Sequence, residues 1–392
     1  MNSRRGIVAV VCGLVIALAI GLWWGGHPTS LPGFLRDTFV DDDHALQAEV
    51  LDTIHDNYYK DIPKQRLEDQ SLRGMVSGLH DPFSHYISPD EANRFKESIE
   101  GNFEGVGMTV EKDKRGLKVL TVFRNTPARR GGIKTGDVIT AVNGRSIVGL
   151  DSETATARIK GPAGTTVRLR VVGAGSKHRR ELKLRRTRIE LPVAEGRVVT
   201  RKGEKIGVVR LLGFTDGAHG LLRAQIDKAL KRGAKAIVLD LRGNGGGLLR
   251  EAVLVSSIFI DKGVIVSVRG RKRSNRTERA VGGAIASKIP VVVLVDRGSA
   301  SASEITTGAL RDRHRATIVG TRTFGKGLVQ EVEPLSNGGA LDITVANYYL
   351  PDGETIAPRK GLKPQVRARD NPHTHRDEAL SVALDTLLRK QR

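Results

Sequence analysis

Cysteine is almost absent. Cys12 is the only one in 392 residues, so the rest of the chain can make neither an internal disulfide nor a cysteine-based zinc site. Aromatic residues are sparse at 4%, which argues against modules that stack nucleobases. Acidic residues are outnumbered, 43 against 64 basic ones, for a formal net charge of +21. The 45 glycines follow no G-X-Y period, which excludes collagen. At 39% hydrophobic and 27% charged, the chain is not generally disordered. Its length predicts two or three domains at about 100–200 residues each.

Residues 7–24 (IVAVVCGLVIALAIGLWW) are apolar or small and uncharged, with Arg4 and Arg5 before them. At about 1.5 Å rise per residue, such a helix would nearly cover a bilayer core. Trp23 and Trp24 fall where an interfacial aromatic belt would sit, and the two arginines favour a cytoplasmic N-terminus. The run is expected to be an uncleaved signal anchor of a single-pass cell-membrane protein, with everything beyond residue 25 extracytoplasmic. A cleaved signal peptide is the rival reading, although no clear A-x-A site follows the run; a buried core helix is the third. The S-R-R-G-I-V start matches a twin-arginine signal only weakly, and Cys12 lies too early for a lipobox.

The positive charge would ordinarily suggest nucleic acid. Its main clusters are 177–188 (KHRRELKLRRTR) and 269–279 (RGRKRSNRTER). In the first, Leu182 and Leu184 alternate with charges, which predicts a solvated strand. The second has no apolar residue and predicts a loop. Both are read as solvated surface, with an anionic membrane or wall polymer as the alternative partner. Export makes nucleic acid a poor partner.

Five segments are expected. Residues 1–36 are tail, anchor and linker; 37–100 are an N-terminal helical region. Residues 101–188 are a small β module, 189–370 an α/β core, and 371–392 a C-terminal helix. Leu46, Val50, Leu51, Ile54 and Tyr58 recur at helical spacing, and a second helix is expected around 66–78. Ser88, Pro89 and Glu91 then read as the cap, first and third positions of another helix.

Within 101–188, short alternating stretches read as strands, with one short helix at 152–159 and turns at Gly131-Gly132 and Asn143-Gly144. The stretches F-E-G-V-G-M-T-V (103–110) and T-P-A-R-R-G-G-I-K-T-G-D-V-I-T-A-V-N-G (126–144) resemble a protease-associated PDZ domain. Such a module adds an extended peptide to a sheet edge and captures its terminal carboxylate in a backbone nest. Gly105, Val106, Gly107 and Met108 would form that nest, with Val106 and Met108 lining an apolar pocket. The alternative is that these glycines merely turn the chain.

From about residue 189, continuous Val/Ile/Leu strands alternate with helices, the pattern of strands buried on both faces. Three motifs then compete. G-T-R-T-F-G-K (320–326) is almost a phosphate-binding loop, but Gly327 stands where Ser or Thr must ligate magnesium, and a strand-like pattern follows. R-G-N-G-G-G (242–247) fails as a dinucleotide fingerprint at Leu248 and carries no nucleophile. It does offer bare backbone N–H groups at a strand-to-helix turn, which an oxyanion hole requires. G-S-A-S-A-S-E (298–304) opens a helix: Ser301 either caps it through an S-x-x-E box with Glu304 or presents an open hydroxyl at a helix N-terminus.

The three motifs together, downstream of a PDZ module, resemble the carboxyl-terminal processing (tail-specific) serine peptidases, peptidase family S41. The stretches 81–91 (DPFSHYISPDE) and 348–353 (YYLPDG) also fit. The resemblance implies a multidomain α/β protein: a crotonase- or Clp-protease-like catalytic core with an inserted PDZ module, an N-terminal helical segment and a membrane anchor. It implies Ser301 as nucleophile, Lys326 as general base and Gln330 as its support. It also implies oxyanion donors from Ala302 and from Gly246 or Gly247, the choice being left open by a loop that departs from the commoner N-N-P-G-G form.

The chemistry is coherent. A lysine, with an ordinary pKa near about 10.4, must be neutral to take a serine proton, and burial favours the neutral form. Gln330, four residues on, would share a strand face with Lys326 and can hold a neutral amine without recharging it. Ser303 could be a second hydroxyl on Lys326 or a packing residue; Glu304 is read as structural. No metal or organic cofactor is required. His314 lies 13 residues beyond Ser301, roughly 20 Å along a helix, so histidine support is not expected.

The expected activity is a serine endopeptidase cutting proteins near apolar C-termini that the PDZ module binds while gating the site. A catalytically silent PDZ scaffold and a basic adaptor on an anionic envelope polymer are the alternatives. The apolar faces of the N-terminal and C-terminal helices either form a homodimer or pack on the core.

Overall fold

The computed structural model describes residues 42–176, 178–272, 275–356 and 360–390, with Gly13. The anchor expected at 7–24 lies outside the described residues, Gly13 aside. Among the described residues, no helix is long and apolar enough to cross a membrane. The chain divides into two compact units: residues up to Ser88 with Ala340–Asp342, and Pro89–Gly339 with Ile343–Arg392.

In the first unit, helices α1 (Asp42–Asn57) and α2 (Lys64–Ser77) pack together, tied by Gln47 Nε2 to Ser71 Oγ (2.9 Å) and Lys64 to Asp52 (2.6 Å). Leu46, Val50, Ile54 and Tyr58 recur every fourth residue yet remain 62%, 49%, 39% and 47% exposed. The helical spacing read in the sequence is therefore an exposed stripe along α1, continued by Tyr58 just past its end. Strand β1 (His85–Ile87) pairs antiparallel with Ala340–Asp342.

In the second unit, α3 (Pro89–Glu100) leads into the β module. Its elements are β2 (Asn102–Gly105), β3 (Met108–Asp113), β4 (Gly116–Val122), α4 (Pro127–Arg130), β5 (Val138–Val142) and β6 (Arg145–Ser146). They continue with α5 (Ser152–Ile159), β7 (Thr166–Val172), β8 (Arg179–Arg185) and β9 (Thr187–Glu190). The main sheet runs β3-β4-β5-β7-β8, with β6 on β5; β2 pairs with β9. Alternation explains β7: Val167, Leu169 and Val171 are buried in the module's core, whereas Arg168 and Arg170 face out.

The core follows with β10 (Ala194–Arg201), β11 (Glu204–Leu211), α6 (Ala218–Lys231), β12 (Ala236–Asp240), α7 (Leu249–Ser257), β13 (Val264–Gly270) and β14 (Arg276–Arg279). Then come β15 (Val291–Val295), α8 (Ala302–Asp312), β16 (Ala316–Gly320), β17 (Leu328–Pro334), β18 (Ala340–Tyr349), β19 (Val366–Arg367) and α9 (Glu378–Lys390). One sheet has the order β10-β11-β12-β15-β16-β19, parallel from β11 onward. Leu239, Val293 and Ile318 pack on one face with α6, α7 and α8; Val238, Val292 and Val319 pack on the other with α9. Burial on both faces is why these strands read as unbroken apolar runs.

The segment 269–279 corrects the expectation of a loop. Arg276–Arg279 is a strand paired antiparallel with β13, Val268 opposite Arg276 and Val264 opposite Arg279. An edge strand beside an apolar partner needs no apolar residues of its own, so alternation could not reveal it.

Candidate active site

Strands β12, β15 and β16 are parallel neighbours, so the turns leaving their C-terminal ends lie side by side. Those turns carry the three motifs: 243–248, 296–301 and 321–327.

Ser301 sits where the turn after β15 enters α8, at φ +54° and ψ −114°. A side chain with a Cβ is strained there, at a cost of about 1–3 kcal/mol, and such strain persists only where the surroundings enforce it. They do so here. Ser299 Oγ donates to the Leu241 carbonyl (2.8 Å), Ser303 Oγ donates to the Asn244 carbonyl (2.8 Å), and Ala300 N–H donates to that same carbonyl (3.1 Å). Of the three serines in the motif, the two flanking Ser301 tie the turn to the loop after β12.

Asn244 is fully buried and organises that loop. Its Nδ2 donates to the Leu211 carbonyl (2.9 Å), and its Oδ1 accepts the N–H of Gly246 (2.9 Å). Phe214 bridges the loop on its other side: its N–H donates to the Gly246 carbonyl (2.9 Å), and its carbonyl accepts the Leu248 N–H (2.8 Å). Gly247 lies between, at φ +143°, where a Cβ would come within 2.4 Å of the Phe214 carbonyl. A Cβ on Gly246 would fall 2.9 Å from Ser301 Cβ and 3.0 Å from Ala302 N. The Gly246 N–H is thus taken by Asn244. Among the described residues, no hydrogen bond takes the N–H of Gly247 or Ala302.

Glu304, fully buried one turn into α8, joins the serine turn to the lysine segment. Its Oε2 accepts the N–H of Ser301 (3.0 Å) and of Lys326 (2.8 Å). Its Oε1 accepts the hydroxyl of Thr323 (2.5 Å) and the N–H of Gly325 (2.8 Å). The capping pattern is therefore real in its carboxylate half, and the same carboxylate also holds the 323–326 turn. Lys326 and Gln330 are half-buried, Gln330 within β17. Gly327, which spoils the phosphate-loop motif, is needed for another reason: a Cβ would stand 2.0 Å from the Ile356 carbonyl. His314 lies beyond the end of α8 in a left-handed turn (φ +53°).

In the β module, Val106 and Met108 are buried. Gly107 has φ +86°, and a Cβ there would lie 2.3 Å from Thr126 Cβ. Its carbonyl accepts from Phe123 N–H (3.1 Å) and Thr126 Oγ1 (3.2 Å), while the Val106 carbonyl accepts from Ala128 N–H (2.8 Å). Gly105 is paired opposite Thr187 in extended backbone, and a Cβ there would meet only the Phe103 ring, at 3.4 Å. Among the described residues, no group of three His, Cys, Asp or Glu side chains could hold a metal ion.

The family model for peptidase family S41 matches residues 205–368, and the PDZ domain model matches 94–172. The model of the activating protease CtpB N-terminal domain matches 42–91. The chain is 35% identical over 369 residues to a CtpA-like serine protease of Staphylococcus haemolyticus, covering 92% of this chain and 71% of that one. It is 35% identical over 355 residues to the carboxy-terminal processing protease CtpA of Bacillus subtilis, covering 90% and 75%. The chain belongs to peptidase family S41. A solved S41 protease from Bacteroides fragilis is similar in fold, with TM-score 0.50 and 18% identity, covering 86% of this chain and 91% of that one.

This S41 serine peptidase relies on several residues that its sequence did not single out. Arg242 pairs with Asp240 and Asp377 (2.8 and 2.9 Å) and with Asp370 (3.0 Å), fastening the start of the glycine loop to the start of α9. Partial burial opposes the Arg242 charge, but its bonds to Asp240 and Asp377 prevail and hold it more firmly protonated than usual. Asp296 Oδ1 accepts the N–H of Gly243 (2.8 Å) and of Gly298 (2.9 Å), linking two of the three turns. Apart from Asp240–Arg242 and Asp296–Gly298, two residues apart, these partners lie 53 to 135 positions away, beyond the reach of any short-range signal.

Proposed function

We propose that this S41 peptidase cleaves proteins near their C-termini with a Ser301/Lys326 dyad. Ser301 Oγ attacks the scissile carbonyl while the neutral Lys326 amine takes its proton; Gln330 steadies that amine. The N–H groups of Gly247 and Ala302 bind the oxyanion. Of the two glycines considered as donors, Gly247 is favoured because the Gly246 N–H is already given to Asn244. Lys326 then returns the proton to the leaving amine, and water, deprotonated by the same lysine, releases the acyl-enzyme. The observation that carries the reading is Glu304, whose carboxylate bonds the main chain of both Ser301 and Lys326.

The PDZ module receives apolar C-terminal residues at 105–108 and gates the site, a role supported by the positive-φ Gly107 beside buried Val106 and Met108. Residues 7–24 anchor the protein in the cell membrane with the peptidase outside, a reading that rests on their apolar sequence and the arginines before them. The exposed stripe Leu46, Val50, Ile54 and Tyr58 supports a homodimer through α1.

The test sets the full chain beside Ser301→Ala and Lys326→Ala, each incubated with an unfolded protein ending in apolar residues, with fragments read by mass spectrometry. Cleavage by the unsubstituted enzyme alone is expected. Cleavage that survives both substitutions overturns the dyad.

A further inference from the structure

Glu251 is a fully buried carboxylate for which the proposed chemistry has no use. It projects from the first turn of α7, the helix that begins directly after the glycine loop. Its Oε1 accepts the N–H of Gly217 (3.1 Å), and its Oε2 accepts the N–H of His219 (2.9 Å) and lies 2.8 Å from His219 Nδ1. Arg250 Nη2 stands 4.0 Å away and also pairs with Asp216.

The segment that Glu251 grips, residues 214–219, is the one that seats the oxyanion loop. Phe214 takes the Leu248 N–H and gives its own to the Gly246 carbonyl, one on each side of Gly247. The Gly247 backbone rests so closely on the Phe214 carbonyl that no Cβ fits between them. A closed ring results: Phe214, the 246–248 backbone, α7, the Glu251 carboxylate, Gly217 and His219, and back to Phe214. In a parallel bridge of this kind the middle residue's own N–H points away from its partner strand. The Gly247 N–H is thereby turned away from Phe214.

The same segment touches the chain on its way into the β module. Asp216 N–H donates to the Ile99 carbonyl (3.1 Å), and Gly101, at φ +67°, lies against Thr215. The segment thus faces the oxyanion loop on one side and the junction of α3 with the β module on the other.

We propose that Glu251 is a positioning residue for the reaction: by holding residues 214–219 against α7, it fixes the orientation of the Gly247 N–H. The inference rests on the reading of Gly247 as an oxyanion donor. A purely structural role is the competing account, because Gly217 precedes α6 without a side chain to cap it, and Glu251 supplies that cap from α7.

The test uses the full chain with Glu251→Gln, Glu251→Ala and His219→Ala. Readouts are kcat and KM on a cleavable peptide, affinity for a peptidyl boronic acid that forms a tetrahedral adduct on Ser301, and thermal midpoint. Misplacing one donor is expected to lower kcat about 10- to 100-fold for Glu251→Ala, with KM within about twofold. Boronate affinity should fall in parallel. Glu251→Gln, which keeps one carbonyl acceptor, should lose less. His219→Ala leaves both main-chain bonds to Glu251 and should lose only a few-fold.

Lowered thermal midpoints with kcat and boronate affinity unchanged in the folded Glu251 variants would reduce Glu251 to a helix cap and overturn the proposal. So would a loss confined to KM. Ser301→Ala, run alongside, keeps the two readings apart. Activity surviving in Ser301→Ala refutes the dyad itself. An inactive Ser301→Ala beside a fully active Glu251→Ala refutes only the positioning role.

Discussion

Ser301 and Lys326 share one acceptor atom. Both main-chain N–H groups donate to Glu304 Oε2, at 3.0 and 2.8 Å, although 25 residues separate them in the chain. Two parallel strands bring the two turns together, and Glu304 then sets their relative position to within a hydrogen bond.

Glu304→Ala should therefore damage fold and activity together. It strands the N–H groups of Ser301, Gly325 and Lys326 and the hydroxyl of Thr323, in a place water reaches poorly. Each unsatisfied buried group costs about 1–3 kcal/mol, so a loss of at least about 3 kcal/mol in urea unfolding is expected. Glu304→Gln retains one carbonyl acceptor and should keep more stability than alanine, yet lose at least tenfold in kcat. Wild-type kcat in Glu304→Gln would show that the carboxylate does not set the dyad.

The backbone of Ser301 makes a separate prediction about stability. At φ +54° and ψ −114°, alanine is as strained as serine, whereas glycine is not. Ser301→Ala and Ser301→Gly should both be inactive. Ser301→Gly should nevertheless be the more stable, by about 1 kcal/mol, after glycine's greater unfolded-state entropy offsets part of the relief. A glycine variant less stable than the alanine one would mean the turn stores no strain at this residue.

Ser303 discriminates between two roles that its sequence position left open. Its hydroxyl donates to the Asn244 carbonyl, a buried main-chain tie between the serine turn and the glycine loop. Ser303→Ala should cost about 1 kcal/mol in stability and leave kcat within about threefold. A hundredfold fall in kcat with unchanged stability would instead place that hydroxyl in the proton path.

These tests concern contacts that the sequence could not display, while much of the scaffold around them could be read. The strand before R-G-N-G-G-G and the strand before G-S-A-S-A-S-E are visible because burial on both faces demands unbroken Val, Ile and Leu. The helix at Ser152–Ile159 was equally legible from local pattern. What escaped was of two kinds. The strand Arg276–Arg279 takes its conformation from its neighbour and shows no pattern of its own. The hubs Asn244, Asp296, Glu251 and Glu304 exchange hydrogen bonds with residues 19 to 59 positions away, and only the folded sheet brings those partners near. The S-x-x-E spacing marks Glu304 as a capping residue, but its hold on 323–326 depends on β16 lying beside β15.

Acid should loosen the attachment of α9. Partial burial pushes the Asp377 carboxyl up, but hydrogen bonds from Arg242 and from the Leu380 N–H outweigh this and leave it below the usual aspartate range. A carboxyl depressed in the folded state stabilises above the unfolded aspartate value, near about 3.9, and ceases to do so as pH falls through its folded value. Asp377→Asn should therefore be less stable than the parent at pH 7, with the gap closing below about pH 4. Urea midpoints of both proteins at the two pH values provide the check, and a gap that persists in acid would assign the loss to packing of α9.

The peptide site proposed for the β module should depend on Gly107 more than on Gly105, although both stand in the same motif. Gly107 has φ +86°, and any Cβ would collide with Thr126 at 2.3 Å. Thr126 cannot simply move aside, because its hydroxyl binds the Gly107 and Phe123 carbonyls and accepts the Arg129 N–H at the start of α4. Gly107→Ala must therefore deform the turn that would receive a terminal carboxylate. Gly105 lies in extended backbone with only ordinary contact to Phe103, so Gly105→Ala should fit. Fluorescence anisotropy with a labelled peptide ending in apolar residues should show at least tenfold weaker binding for Gly107→Ala and a change within about threefold for Gly105→Ala. Equal losses in both variants would shift the recognition surface from the Gly107 turn to the β2 edge. Full binding in both would remove residues 105–108 from the peptide site.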